Sequence, residues 1–414
     1  MRFLPTEEQR DFARSLDALL TAAETPATIR AWASGDPAPG RALWSRLAET
    51  GVFALAIPEP YEGVGPLPVE LATAFVELGR HGVPGPVVET VAVGALLSEL
   101  AGRGEGALTK RLLPGIATGE TLATLAFPDW ASPAPTPVPP RRRPPGAAPS
   151  WVVPTRSALR NACPQPGGGG EGGHRPAERL PTTGPRGEGG APPGGAKVHN
   201  AGGLRVGTAL RNGGAQQDAL DADVADLVAV VRGDEVWSAA SHGAVHPSAD
   251  PARRLSRPTP DGELIAAGPA VRGAVEQAVR WAMLATAAQA LGVGLTLLDR
   301  TVAYARQRTQ FGTSIGSFQA VKHRLADTLL GLEFARPLLF GAALTFESAD
   351  LAAAKVAAGE AAYAAARTAL QIHGAVGYTE ELDLSLWLRK ARPLRDAWGT
   401  PSWCRAQVLS GSWS

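Results

Sequence analysis

Arg306-Gln307-Arg308-Thr309-Gln310-Phe311-Gly312-Thr313-Ser314-Ile315-Gly316-Ser317-Phe318-Gln319-Ala320-Val321-Lys322-His323 is the most informative stretch of the chain. A long apolar helix pattern leads into it, from about Ala282 to Tyr304. The Phe311-Gly312 pair is expected to break that helix, and a second helix is expected to start near Ser317-Phe318-Gln319. A basic pair, an aromatic-Gly turn and a fresh helix start suit an anionic group. The Arg308 guanidinium can pair with phosphate while free backbone N–H groups at the helix start face it.

Outward from this stretch, the C-terminal side is helical. Ala287 to Tyr304, Lys322 to Leu344 and the Ala-rich Ala352 to Ile372 are each long enough for a bundle helix. The last ends at His373-Gly374, a good C-cap, and four antiparallel helices are the expected outcome. Gln371-Ile372-His373-Gly374-Ala375-Val376-Gly377-Tyr378 then opens into a Gly-rich turn with room for a ligand backbone. His323 and His373 are expected to be structural.

The N-terminal side is helical too. Thr6-Glu7-Glu8-Gln9 has the form of a capping box, and Phe12, Leu16, Leu19 and Leu20 then share one helical face. A second helix carries Leu43, Trp44 and Leu47 and stops at Gly51; Phe53 to Ile57 reads as an extended piece. Tyr61 sits in a helix-breaking turn, and helices follow over Val69 to Leu78 and Val87 to Leu100. An all-α unit to about residue 120 is the result.

Between these halves the composition changes. From about residue 131 to 217 the chain is dominated by Pro, Gly, Arg and Ala, too poor in aliphatic periodicity to offset chain entropy, so a disordered low-complexity segment is expected. A message read out of frame gives the same bias, and translating the other two frames separates the two readings. Ala225 to Val231 then reads as a strand, Gly233-Asp234 as a turn and Val236-Trp237 as a second strand. The fold class is therefore mainly α with a β insert: a helical domain at 1–120, a middle β-domain at 121–268 and a helical bundle at 269–414.

The 414 residues exceed what one small core needs. A net charge of +1 argues against nucleic acid or anionic membrane as partners. Cys163 and Cys404 make neither a disulfide framework nor a metal site, and read as idle or buried thiols of a reducing cytoplasm. No stretch reaches the ~18 apolar residues of a membrane span, so a soluble intracellular protein is expected.

The Arg308-to-His323 string closely resembles the signature of the flavin-dependent acyl-CoA dehydrogenase family. So does the N-terminal order of Leu47-Ala48-Glu49-Thr50-Gly51, Ile57-Pro58-Glu59-Pro60-Tyr61-Glu62-Gly63-Val64-Gly65 and Val69 to Arg80. The resemblance covers about residues 1–127 and 225–410. It implies FAD as cofactor and an acyl-CoA substrate, desaturated between its α and β carbons. It also implies a homologous subunit as partner and electron-transfer flavoprotein or a similar acceptor. Arg308, Gln310 and Phe311 are then expected to reach the pyrophosphate side of a flavin held by a neighbouring subunit, with Gln319 near the adenine. Gln371, Gly374 and Ala375 are expected at the matching cofactor surface, though the family has a second Gly where Ala375 stands.

The family's usual base is a Glu in a Tyr-Glu-Gly-Thr string. Here that string falls on Ala397-Trp398-Gly399-Thr400, so Gly399 and Thr400 match and the base position is Trp398. The other known position for the base lies near Ala282, where Glu276 is the nearest acid; Asp396 is a weak substitute. The pattern resembles the base-lacking halves of heteromeric acyl-CoA dehydrogenases of actinobacterial steroid side-chain breakdown. A non-enzymatic structural partner that kept the fold and lost flavin is the alternative. Leu388 to Asp396 is a basic stretch, either a solvated helix face or a contact to a subunit or to CoA phosphates.

Overall fold

The structure is a computed structural model that describes residues 5–104, 107–126, 218–246 and 248–410. The low-complexity segment, the out-of-frame reading and Cys163 lie outside these residues.

Helix α1 (Glu7–Ala22) begins with the expected capping box: Thr6 accepts from the Gln9 amide and Gln9 reaches back to the Thr6 N–H. Its Leu16 and Leu20 are fully buried. Helix α2 (Thr25–Ser34) has too few large apolar residues to show as a periodic stripe, and the sequence reading passed over it. α3 (Ala38–Ala48) carries Leu43, Trp44 and Leu47 inward. Val52–Ala56 is a 3-10 turn rather than an extended piece. Five apolar residues in a row fit either backbone, and here all five are buried within one turn. Tyr61 ends a second 3-10 turn and packs partly buried on the core. Helices α4 (Pro68–Arg80), α5 (Val87–Gly102) and α6 (Ala107–Ala117) complete this helical block.

The sheet elements follow. Strand β1 (Ala123–Ala126) pairs in parallel with β3 (Leu227–Arg232), and β3 pairs antiparallel with β4 (Glu235–Ser238) across the expected Gly233-Asp234 turn. β4 in turn pairs antiparallel with β8 (Leu264–Ala267), with a register shift at Val236/Trp237. Short strands β2 (Ala219–Leu220) and β6 (Leu255–Ser256) form one pair, and β5 (Ser241–His242) and β7 (Pro258–Thr259) another. β1 is tied to the helices by Thr90 of α5. Its hydroxyl donates to the Ala123 carbonyl at 2.7 Å and accepts from the Ala123 N–H at 3.1 Å.

Helix α7 (Ala270–Gln307) is longer than its sequence pattern suggested and buried nearly all round. It packs against α9 (Ser348–His373), and also against α4 and α5. Two glycines allow the α4 crossing. A Cβ on Gly292 would lie 2.0 Å from the Val76 carbonyl oxygen, and one on Gly79 would lie 2.1 Å from that of Gln289. Helix α8 (Gln319–Thr345) lies along α9, and α10 (Leu384–Asp396) and α11 (Pro401–Ser410) fill the remaining side of the bundle.

Contrary to the expectation from sequence, α7 and α8 are each long and apolar enough to cross a membrane by length and composition, because interspersed Thr, Gln and Gly do not offset their apolar majority. The apolar window of α7 is 94% buried inside the fold, so its apolarity serves the core. That of α8 is only 33% buried. Leu330, Phe334 and Leu338 form an exposed stripe on it, with Leu329 and Leu344 beside them.

Candidate active site

The sequence-predicted residues fall at the two ends of α9. At its C-terminal end, Tyr304 of α7 stacks on His373 with ring centroids 4.1 Å apart, so the last turns of both helices meet. His373 is buried and its Nδ1 donates to the Ala369 carbonyl at 2.8 Å. Burial holds its imidazole below the usual range, against the Ala369 hydrogen bond.

α7 stops at Gln307, earlier than the Phe311-Gly312 break predicted. Arg308 is extended, and its carbonyl accepts from the Ile315 N–H at 2.8 Å. Strands β9 (Thr309–Gln310) and β10 (Thr313–Ser314) then form a hairpin whose turn is Phe311-Gly312, both left-handed at φ 53° and 77°. Two positive φ values in a two-residue turn match the twist of the flanking strands. The turn lifts Phe311 into solvent at 93% exposure. Arg308, Gln310 and Gln319 are exposed beside it.

α8 has no side-chain N-cap, and the first backbone bonds there come from Val321 and Lys322, both to the Phe318 carbonyl. The N–H groups of Gln319 and Ala320, at the exposed start of α8, lie outside these backbone bonds and are donors of the kind that fit a phosphate. Across the Tyr304–His373 stack, α9 ends on Gly374 at φ 62°, ψ −134°, a backbone suited to glycine. Gln371 and Ala375 are exposed around it. The two motifs thus share one end of the bundle.

Gly399 and Thr400 do not join them. They lie by Lys355, about five turns and roughly 27 Å back along α9 from His373. Lys355 is fully buried, and its ammonium donates to the carbonyls of Leu394 at 3.0 Å, Arg395 at 2.9 Å and Gly399 at 3.4 Å. It closes the C-terminus of α10, where carbonyls otherwise lack partners. Burial lowers its pKa to about 8, and that of the neighbouring Cys404 thiol rises to about 11 for the same reason. Thr400 leads into α11, its carbonyl accepting from the Cys404 N–H at 2.9 Å.

Between α10 and α11 stands Trp398, half-buried and left-handed at φ 54°. Its indole Nε1–H donates to Oε1 of Glu89 at 3.1 Å. Glu89 is buried in α5 and was not anticipated. The signal was present as one acid inside the apolar run Val87-Val88-Glu89-Thr90-Val91. Desolvation raises its pKa, against the pull of Arg253 and the Trp398 hydrogen bond. Asp221 is a second buried acid of this region. It accepts from Trp32 Nε1 at 3.1 Å, and burial pushes its pKa up to about 8, with Glu89 adding to the rise.

The other acids considered lie as follows. Glu276 pairs with Arg272 at 3.5 Å, Ala282 is fully buried, and Asp396 sits half-buried in the last turn of α10. The basic stretch of α10 is mostly used within the fold. Lys390 is buried against Asp250 at 3.1 Å, Arg389 pairs with Glu380, and Arg395 lies over the Tyr363 ring at 5.1 Å.

Two family models match the chain: the acyl-CoA dehydrogenase N-terminal domain over residues 6–120 and the C-terminal domain over 271–410. The chain belongs to the acyl-CoA dehydrogenase family. Among its relatives is acyl-CoA dehydrogenase IpdE2 of Mycobacterium tuberculosis, 26% identical over 94% of this chain and 92% of that protein. IpdE2 of Mycolicibacterium smegmatis is 32% identical over 48% of this chain and 61% of its own length. The ChsE4-ChsE5 complex of M. tuberculosis shares the fold at TM-score 0.66, with 21% identity over the full length of both chains. So does PigA solved with FAD and proline, at TM-score 0.65 and 19% identity over 99% of this chain and 98% of that one.

Proposed function

We propose that this acyl-CoA dehydrogenase family chain binds FAD and takes part in α,β-desaturation of an acyl-CoA thioester as the base-lacking subunit of a heteromer. The observation that carries this reading is Trp398. Desaturation requires a group that removes the α-proton, and an indole N–H only donates. Here it already donates to Glu89.

Arg308, with the N–H groups of Gln319 and Ala320, is suited to the flavin pyrophosphate, with Gln310 and Phe311 alongside and Gln319 toward the adenine. Gln371, Gly374 and Ala375 form the adjoining surface, and Gly399 and Thr400 serve a cofactor edge at the other end of α9. When bound, FAD supplies the acceptor for the β-hydride. Groups so far apart on one chain, with the phosphate-suited set fully exposed, favour cofactor sites completed by a second subunit. The apolar stripe of α8 favours such a partner. The ChsE4-ChsE5 pairing makes a homologous chain the natural candidate, and the family's electron acceptor would be an electron-transfer flavoprotein.

Co-expression with a homologue carrying Glu at the Trp398 position tests this. Desaturation by the mixture, and none by this chain alone, is expected. Equal activity from the isolated chain would remove the base-lacking reading.

A further inference from the structure

We propose that Trp398 and Glu89 close this chain's own acyl site, so that a thioester's acyl group does not enter it. The inference rests on the family reading above, which places the general base at position 398. A general base must lie within hydrogen-bond reach of the α-proton it removes, so the space beside position 398 is where the reacting carbons of a substrate would lie. In this chain an indole occupies that position and reaches across to α5, where Glu89 accepts its N–H. One side chain thereby spans from position 398 to α5.

The backbone is built to hold it there. Trp398 keeps a left-handed conformation that is unfavourable for a bulky residue, and both flanks are pinned. On one side the Ala397 N–H bonds the Pro393 carbonyl at 2.8 Å. On the other, Lys355 holds the Gly399 carbonyl. Gly399 itself is confined, since a Cβ there would lie 2.7 Å from Cys404 Sγ. Moving Glu89 away would break the Trp398 hydrogen bond at a carboxyl buried in α5, at a cost.

The test is isothermal titration of butyryl-CoA and of free coenzyme A into the full-length chain, as wild type, W398G, W398L and E89Q. W398G removes the indole at a backbone position that suits glycine. It is expected to bind butyryl-CoA at least about tenfold more tightly than wild type, as burying two methylenes would give. Free coenzyme A should show no such gain. W398L, which keeps a side chain should the glycine variant fail to fold, should move the same way by less. E89Q keeps an acceptor for the indole and should bind as weakly as wild type. Wild type and the Trp398 variants binding butyryl-CoA equally would overturn the proposal. So would tight wild-type binding lost in E89Q, which would put Glu89 against the substrate. Flavin absorbance of the same samples reports the family reading separately from closure.

Discussion

Asp221 and Glu89 are carboxyls placed where a charge is costly, each facing an indole N–H. Asp221 has an ordinary pKa of 3.8 when exposed and about 8 in the fold. Between those values the folded chain holds a proton that the unfolded chain has released, so this group's contribution to stability falls as pH rises from about 4 to 8. Asp221→Asn removes that slope. Urea unfolding should show the variant gaining on wild type between pH 5 and pH 8; parallel pH dependence would refute the assignment. Lys355 acts in the opposite sense, as a buried cation that satisfies carbonyls. Lys355→Met should destabilise the chain by about 3 kcal/mol, because carbonyls at the end of α10 lose their donor. Hydrogen exchange should speed up around residues 394–404. Of these residues only Trp398 stood out in the sequence, as a mismatch in a motif. Glu89 and Lys355 gain their roles from helices brought together across long sequence separations, which periodicity does not encode.

Among elements, the α4–α7 crossing is the most constrained. Gly292→Ala puts a methyl into the Val76 carbonyl and should cost about 1–3 kcal/mol or more. Gly331 is exposed on α8, where a Cβ would first meet Ala361 at 3.9 Å, and Gly331→Ala should stabilise by up to about 1 kcal/mol. Thermal melts of the two variants should therefore move in opposite directions. The long helices were legible because their apolar residues recur at helical spacing, and the capping box at Thr6 and the Gly374 end because caps have local signatures. Val52–Ala56 was misread because a short apolar run has no period of its own, and α2 was passed over because its interior contacts come from few residues. Phe311-Gly312 was recognised as a break but not as a hairpin turn. That distinction depends on two left-handed residues in succession.

At the scale of the molecule, α8 presents apolar side chains to solvent while the more apolar α7 is enclosed. A helix face of this kind suits a protein partner, and Leu330→Glu with Phe334→Glu should abolish co-purification with a homologous subunit while leaving the isolated chain folded. Unchanged association would put the contact elsewhere. With the closure proposed at Trp398, the proposed role is that of a chain that helps build a shared flavoprotein and depends on its partner for the base. The visible absorption spectrum tests this most directly, taken on the purified chain alone and after co-purification with the Glu-bearing homologue. The account predicts bound flavin that bleaches with acyl-CoA only in the mixture. Flavin absent from both samples, or bleaching by the isolated chain, would contradict it.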